Sequence, residues 1–305
     1  MDIQTKQNRI LVIVDQLDWA FDHNAKALQK HCHEWQVDIV YGKADNYQSC
    51  FNNHNKYDLV LFLPDFRTDV IMRSPVPKEK FLVAIRSDVL KRGISFYQDQ
   101  ETMQKRVGAL LVSNSHLFEK FYQLHPVVRF APGGVDIHTF VPFWRESHKP
   151  PIVGWAGSKD NFGKNQRGLD MIERACEHIG YLFHPAYREE KWRTISEMVK
   201  YYQYEIDIYC DMDLRAGRQN GLLEAASCGK ACISTPQAGI SGSLIQSRQN
   251  GLLVHYNMDS LISSMELVVD DIEKYGRTIR EDVERKWSWE AQTGIFENIF
   301  NEMIN

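Results

Sequence analysis

The chain has 305 residues, more than one hydrophobic core usually serves, which predicts two domains of about 150 residues each. With 43% hydrophobic and 25% charged residues it reads as an ordinary soluble globular protein, with no compositional sign of disorder. The net charge of −4 exerts no global pull toward nucleic acid or anionic lipid, so bulk charge names no partner.

The opening, MDIQTKQNRILVIVD, has no apolar run of signal-peptide length, and no later segment approaches the roughly 18 apolar residues of a membrane span. The expected location is the cytoplasm, with peripheral attachment at the inner membrane surface as a variant. RILVIVD (9–15) predicts a first strand, FDHNAKALQKHCHEW a helix, and QVDIVYG a second strand. HCH at 31–33 is not assigned a metal, because adjacent helical side chains point in different directions. YDLVLFLPD, KFLVAIRSD, GALLVSNS and VVRFAPGG continue the series of strands with helices or loops between them. Strands that are apolar throughout and alternate with helices predict a parallel sheet covered on both faces.

FVPFWRESHKPP (140–151) carries three prolines and no periodicity, which predicts the interdomain linker there. A second α/β series follows: the strand PIVGWAGS, the helix RGLDMIERACEHIG closed by Gly180, the strand YLFHPAY, the amphipathic RTISEMVKYYQY, the strand IDIYCD, then NGLLEAASCG, ACIST and GLLVHY. SWEAQTGIFENIFNEMI is an amphipathic helix with no strand after it, free to pack back on the first domain. Two Rossmann-like, doubly wound domains facing a central cleft result, over 1–146 (joined by the helix 287–305) and 147–286. Cys32, Cys50, Cys176, Cys210, Cys228 and Cys232 are scattered without a C-x-x-C pair, which predicts reduced thiols.

Ligands of open parallel sheets bind at the strands' carboxyl ends. In the second domain SKDNFGKNQRG follows one strand, with Lys159, Lys164 and Arg167, and DMDLRAGRQNG follows another, with Arg215 and Arg218. Each precedes a helix, whose unpaired N–H groups and partial positive charge suit phosphate oxygens. Cations at two equivalent loops predict a diphosphate clamp. Glu224 reads as lying in the first turn of its helix, where its carboxylate accepts hydrogen bonds from ligand hydroxyls, and the small residues Ala225, Ala226, Ser227 and Gly229 let that helix lie close to the sheet.

NGLLEAASCGKACISTPQAGI…NGLLV resembles the donor-site signature of the retaining glycosyltransferases of the B-type fold (GT-B), family 4. FAPGGVDIHTFVP resembles the segment that ends that family's first domain, and VGWAGS…RGLD its phosphate-binding pair, so the likeness covers most of 128–256. The resemblance implies transfer of a sugar, with retention and without a metal or other cofactor, from a nucleoside-diphosphate sugar to a hydroxyl of a carbohydrate or lipid-linked acceptor in surface polysaccharide or glycolipid synthesis. It places Arg167 at the diphosphate-binding lysine, Ser158 or Lys159 at the partner arginine, and Glu224 at the ribose. Gly157, Asn220, Gly221 and Leu222 complete the donor contacts, and Arg167, Lys164, Arg218 and Asp15 are the candidate catalytic groups. The family's first glutamate falls on Ala216, and its first-domain histidine has no counterpart, since the corresponding strand end reads Arg86, Ser87, Asp88. The acceptor is expected between the domains against DQLDWAFDH, with Asp18, Trp19 and His23 as contacts beside Arg86.

D-x-D at 211–213 is a metal-nucleotide motif in another transferase fold; here, behind a Rossmann-like strand, it is given no metal, and one of its aspartates is an option for holding the donor sugar. Two further readings stand beside the transferase. One is a transferase acting on a nucleic-acid base (a hydroxymethylated pyrimidine), served by a basic face of Lys78, Lys80, Lys91, Arg92, Lys105 and Arg106. The other is a non-catalytic nucleotide-sugar-binding protein, suggested by Ala216. A dinucleotide oxidoreductase is disfavoured because no G-x-G-x-x-G opens either half.

Overall fold

The computed structural model describes residues 7–42, 47–64, 68–86, 100–159, 167–214, 217 and 219–305. The chain divides into two compact units, one of residues up to 134 together with 289–305, the other of 135–288.

The first unit runs β1 (Asn8–Val14), α1 (Ala20–His31), β2 (Trp35–Tyr41), β3 (Leu59–Phe62), α2 (Thr68–Arg73), β4 (Phe81–Ile85), α3 (Gln100–Arg106), β5 (Ala109–Val112), α4 (Ser115–Tyr122) and β6 (Val128–Phe130), closing with α11 (Trp289–Ile304) after the second unit. All six strands are parallel, in the order β2-β1-β3-β4-β5-β6. Ile10 to Val14, Leu59 to Phe62 and Phe81 to Ile85 are buried without interruption, as strands covered on both faces must be. On one face Ile10, Val12 and Val14 pack with Leu28 of α1 and with Phe296 and Phe300 of α11. The Trp35 indole N–H donates to Asn301 Oδ1 at 2.9 Å, so the terminal helix is part of this unit's core layer.

The second unit runs β7 (Ile152–Gly157), α5 (Leu169–Ile179), β8 (Leu182–Tyr187), α6 (Ile195–Lys200) with a wide helical turn at Tyr201–Glu205, β9 (Ile208–Asp211), α7 (Asn220–Ser227), β10 (Ala231–Ser234), α8 (Ser241–Leu244), β11 (Leu252–Leu253), α9 (Met258–Val269) and α10 (Ile272–Asp282). Its five strands are also parallel, in the order β11-β10-β9-β7-β8. Alternate residues of each strand serve opposite faces: Ile208 and Cys210 join Val153, Trp155 and Ile172, whereas Tyr209 joins Tyr201, Tyr202 and Leu222.

Residues 140–151, expected as the linker, belong to the second unit instead. Phe140 is buried in that unit's core and its carbonyl accepts from Ser227 Oγ and Arg280 Nη1, both at 2.7 Å. Arg145 donates to the carbonyls of Gln203, Tyr204 and Ile206. Three prolines suppress periodicity, but an extended segment still docks when its side chains find such partners. The chain changes unit at Gly134/Val135 and again at Ser288/Trp289. Among the described residues no helix is long and apolar enough to cross a membrane, and all six cysteines are buried and free.

Candidate functional site

Both sheets follow one plan: the second strand lies at an edge, the first beside it, and the third on the first strand's other side. Connections leave the first and third strands in opposite directions, which opens a crevice at their carboxyl ends. In the second unit this crevice lies between the ends of β7 and β9. Two glycines there let backbone come close. A Cβ on Gly221, the second residue of α7, would stand 2.4 Å from the Tyr209 hydroxyl and 3.2 Å from the Ala156 carbonyl, so the helix start is pressed onto the end of β7. A Cβ on Gly168 would stand 2.5 Å from Met212 Cβ, and Gly168 takes the left-handed conformation (φ 65°) that opens α5. Arg167 is thereby set beside the loop after β9.

The guanidinium of Arg167 lies 5.3 Å from the centroid of the Trp155 ring and 3.8 Å from Asp213 Oδ2, with its side chain mostly covered. Asp211 accepts from Asp213 N–H at 3.1 Å and from Gln219 Nε2 at 2.8 Å. Gln219 Oε1 in turn accepts from Ser241 Oγ, which shares a hydrogen bond of 2.7 Å with Ser234 Oγ. Ser234 and Thr235 donate to the carbonyls of Asp211 and Asp213. The D-x-D loop is therefore fastened to the end of β10 by a buried polar network. Burial, then the neighbouring Asp213, push the Asp211 carboxyl above the usual carboxylate range, against the pull of Arg167 and Gln219.

The turn after β7 is occupied differently from expectation. The Ser158 hydroxyl donates to Glu189 Oε1, the Lys159 N–H donates to Glu189 Oε2 at 3.0 Å, and Lys159 Nζ donates to Glu190 Oε1 at 2.8 Å while lying over the Tyr187 ring. Burial raises the Glu189 carboxyl, but the bonds from Ser158 and Lys159 outweigh it and hold the group below its ordinary value. Glu224 is in the second turn of α7, not the first, because the helix begins at Asn220. The dipole therefore does less for it than the sequence implied; its defined partner is the Tyr202 hydroxyl, which donates to Oε2 at 3.0 Å. Burial, then Glu224 and the two neighbouring tyrosines, push the Tyr202 phenol far up, so it stays a donor. The Leu222 side chain is core, leaving only its backbone N–H for a ligand. Asn220 Oδ1 is buried and meets no donor among the described residues. Lys164, Arg215, Ala216 and Arg218 lie outside the described residues.

The first unit repeats the crevice between β1 and β3, and Asp15, Asp18, Trp19 and His23 follow the end of β1. Asp18 is exposed in the left-handed region (φ 59°), and Trp19 caps α1 half-buried. Beneath them is a residue that sequence reading passed over. Asp22, fully buried, accepts from Asp18 N–H at 2.8 Å and Tyr41 Oη at 2.7 Å and pairs with Lys26 Nζ at 2.7 Å. It sits one helical turn from Asp18 on an amphipathic stretch, where an acid reads as solvated. Arg86, an expected acceptor contact, is buried and donates to the carbonyls of Ala131 and Pro132, which ties the ends of β4 and β6 together. Among the lysines and arginines of the proposed basic face, Lys80 donates to Tyr57 O, Lys105 pairs with Glu101, and Arg106 donates to Met72 O and Ser74 O. Lys91 and Arg92 lie outside the described residues.

No protein-family model matches the chain, and no curated protein matches it in sequence. Solved structures do match in fold. A sucrose-phosphate synthase from Thermosynechococcus elongatus aligns at a TM-score of 0.67 and 13% identity, over 97% of this chain and 99% of that one. A glycosyltransferase from Rickettsia africae gives 0.69 at 12% identity, over 98% and 99%. Anabaena HepE, in complex with UDP and glucose, gives 0.68 at 10% identity, over 97% and 100%. Two parallel-sheet α/β units, each with its helices, and these neighbours together identify the architecture as the GT-B fold.

Proposed function

We propose that the protein is a nucleotide-sugar-dependent glycosyltransferase whose donor site is the β7/β9 crevice of the second unit. This reading rests on two features of one strand-end crevice: Arg167 lies 3.8 Å from Asp213 after β9, and the amino end of α7 is pressed onto the end of β7. The α7 terminus offers the N–H groups of Asn220, Gly221 and Leu222, and Gly157, Ser158 and Lys159 line the neighbouring turn. These groups suit a diphosphate, and Glu224 suits the ribose hydroxyls. As the bond to the sugar breaks, negative charge collects on the departing phosphate. Preorganised donors aimed there stabilise the transition state by about 3 kcal/mol each.

On this reading Arg167, Lys164 and Arg218 meet the leaving-group charge without a metal. The sugar passes to an acceptor hydroxyl on the face the diphosphate leaves, which retains its configuration, and the leaving phosphate takes the acceptor proton. Asp15, Asp18, Trp19 and His23 of the first unit are the acceptor contacts, with the Asp18 N–H held by Asp22, while Arg86 positions the 131–132 turn. The acceptor class is a carbohydrate or lipid-linked sugar of surface polysaccharide or glycolipid synthesis.

The experiment is a melting screen of the whole chain with UDP-, GDP-, ADP- and CMP-sugars, followed by assay of nucleoside diphosphate release with a panel of glycan acceptors. Stabilisation together with release supports the transferase. Stabilisation without release assigns a binding protein, the reading that Ala216 prompts. No stabilisation by any donor removes the donor site.

A further inference from the structure

The turn after β7 is built as a seat for an anion, and the chain fills it itself. Two consecutive donors, the Ser158 hydroxyl and the Lys159 N–H, converge on the two oxygens of one carboxylate, that of Glu189. The next residue, Glu190, takes the Lys159 ammonium. Ser158 is buried, whereas Glu190 is 58% exposed at its side chain, so one half of this contact is fixed and the other is readily released. The acids arrive on the segment that leaves β8, whose Arg188 N–H donates to Gly157 O at 2.9 Å, so the two loops stay in register while the carboxylates reach across.

We propose that Glu189 and Glu190 are a built-in competitor for the donor's diphosphate. They occupy Ser158 and Lys159 when no donor is bound, and they leave those groups when a phosphate takes their place. This rests on the donor-site reading above. The chemistry is an exchange of one anion for another at the same donors: a carboxylate offers one charge and two oxygens, a whole diphosphate about twice as many of each, so the exchange runs forward only for a ligand that carries a strong oxyanion. A neutral sugar alone does not open the turn, which makes the pair a filter for phosphorylated ligands.

The test is calorimetric titration of the full chain with UDP, GDP and ADP, comparing the wild type with Glu189→Gln/Glu190→Gln and with the same pair plus Lys159→Ala. The expected result is diphosphate affinity raised about three- to tenfold in the double variant, with most of that gain lost when Lys159 is also removed. Unchanged or weaker binding in the double variant overturns the proposal, because the acids then brace the turn for the ligand. A gain that survives Lys159→Ala also overturns it, since two lost negative charges then act only through their general field. If Glu189→Gln melts early, Glu190→Gln alone repeats the test at an exposed position. Wild-type protein that binds none of the three diphosphates refutes the donor-site reading itself, before any variant is compared, and this inference with it.

Discussion

Gly221→Ala sets two physical effects against each other, and the contacts around the residue decide the sign. In a helix, alanine is favoured over glycine by about 1 kcal/mol. At this position the new methyl carbon would stand 2.4 Å from the Tyr209 hydroxyl and 3.2 Å from the Ala156 carbonyl. That hydroxyl cannot simply step aside: it is buried and held between Ala156 N–H at 3.3 Å and Ala156 O at 3.5 Å. Overpacking of this kind costs about 1–3 kcal/mol, so the net expectation is a loss of about 1 kcal/mol. For a unit of this size that lowers the melting temperature by roughly 2–4 °C. The start of α7 must also back away from the end of β7, and nucleoside diphosphate affinity falls about three- to tenfold. Tyr209→Phe removes the obstructing oxygen. Adding it to Gly221→Ala recovers most of both losses, a coupling of about 1 kcal/mol in a double-mutant cycle read by thermal melts and calorimetry. A Gly221→Ala protein that melts at or above the wild type, as helix propensity alone dictates, refutes the close approach on which the site is built.

Arg167→Ala is expected to weaken nucleoside diphosphate binding at least about tenfold by loss of a charge-assisted hydrogen bond, measured by calorimetry; unchanged affinity means the clamp lies elsewhere. Asp22→Ala should cost about 2 kcal/mol at neutral pH, because the Asp18 N–H and Tyr41 hydroxyl lose their acceptor. Burial raises the Asp22 carboxyl, but Lys26, Tyr41 and Asp18 together hold it below its ordinary value, so its contribution is complete above pH 4 and fades as the pH falls through the lower folded value. Wild type and variant should thus converge in acid melts. Lys230 behaves in the opposite sense: burial, then the charge of Arg145, lower its ammonium to about 8, against the pull of Asp207. The unfolded chain binds more protons between that value and its ordinary 10.5, so wild-type stability gains a rising component across that window. Lys230→Met should remove the component and be no less stable than the wild type at pH 7.

Much of this architecture is legible in the chain, for identifiable reasons. Uninterrupted runs such as RILVIVD and KFLVAIRSD announce doubly covered strands, because only two-sided burial tolerates them. The small residues after Glu224 announce a helix that lies close to its sheet. What escapes reading are features that depend on partners far along the chain. Phe140 and Arg145 dock on Ser227 and the 203–206 turn, which a proline-rich stretch does not reveal. Lys159 reads as a cation of the diphosphate clamp, and its pairing with Glu189 and Glu190, some thirty residues on, does not show in the chain. Asp22 reads as polar surface because the Tyr41 hydroxyl that donates to it comes from another element, 19 residues on. Glu224 falls a turn late because helix starts are set by geometry at Asn220 rather than by composition.

The two points at which the chain changes unit lie side by side. Val135 N–H donates to Trp287 O at 2.9 Å, and Val135 pairs with Ser288 as a short parallel bridge. The 135–288 segment is in effect a cassette spliced into a host whose last helix is made only afterwards. Until α11 emerges from the ribosome, the host sheet lacks Phe296 and Phe300, so the inserted half can reach its native state first. Excising the cassette at its clasped ends should yield an autonomous module, and replacing it with another of the same plan offers a route to chimaeras that leave the host's fold intact.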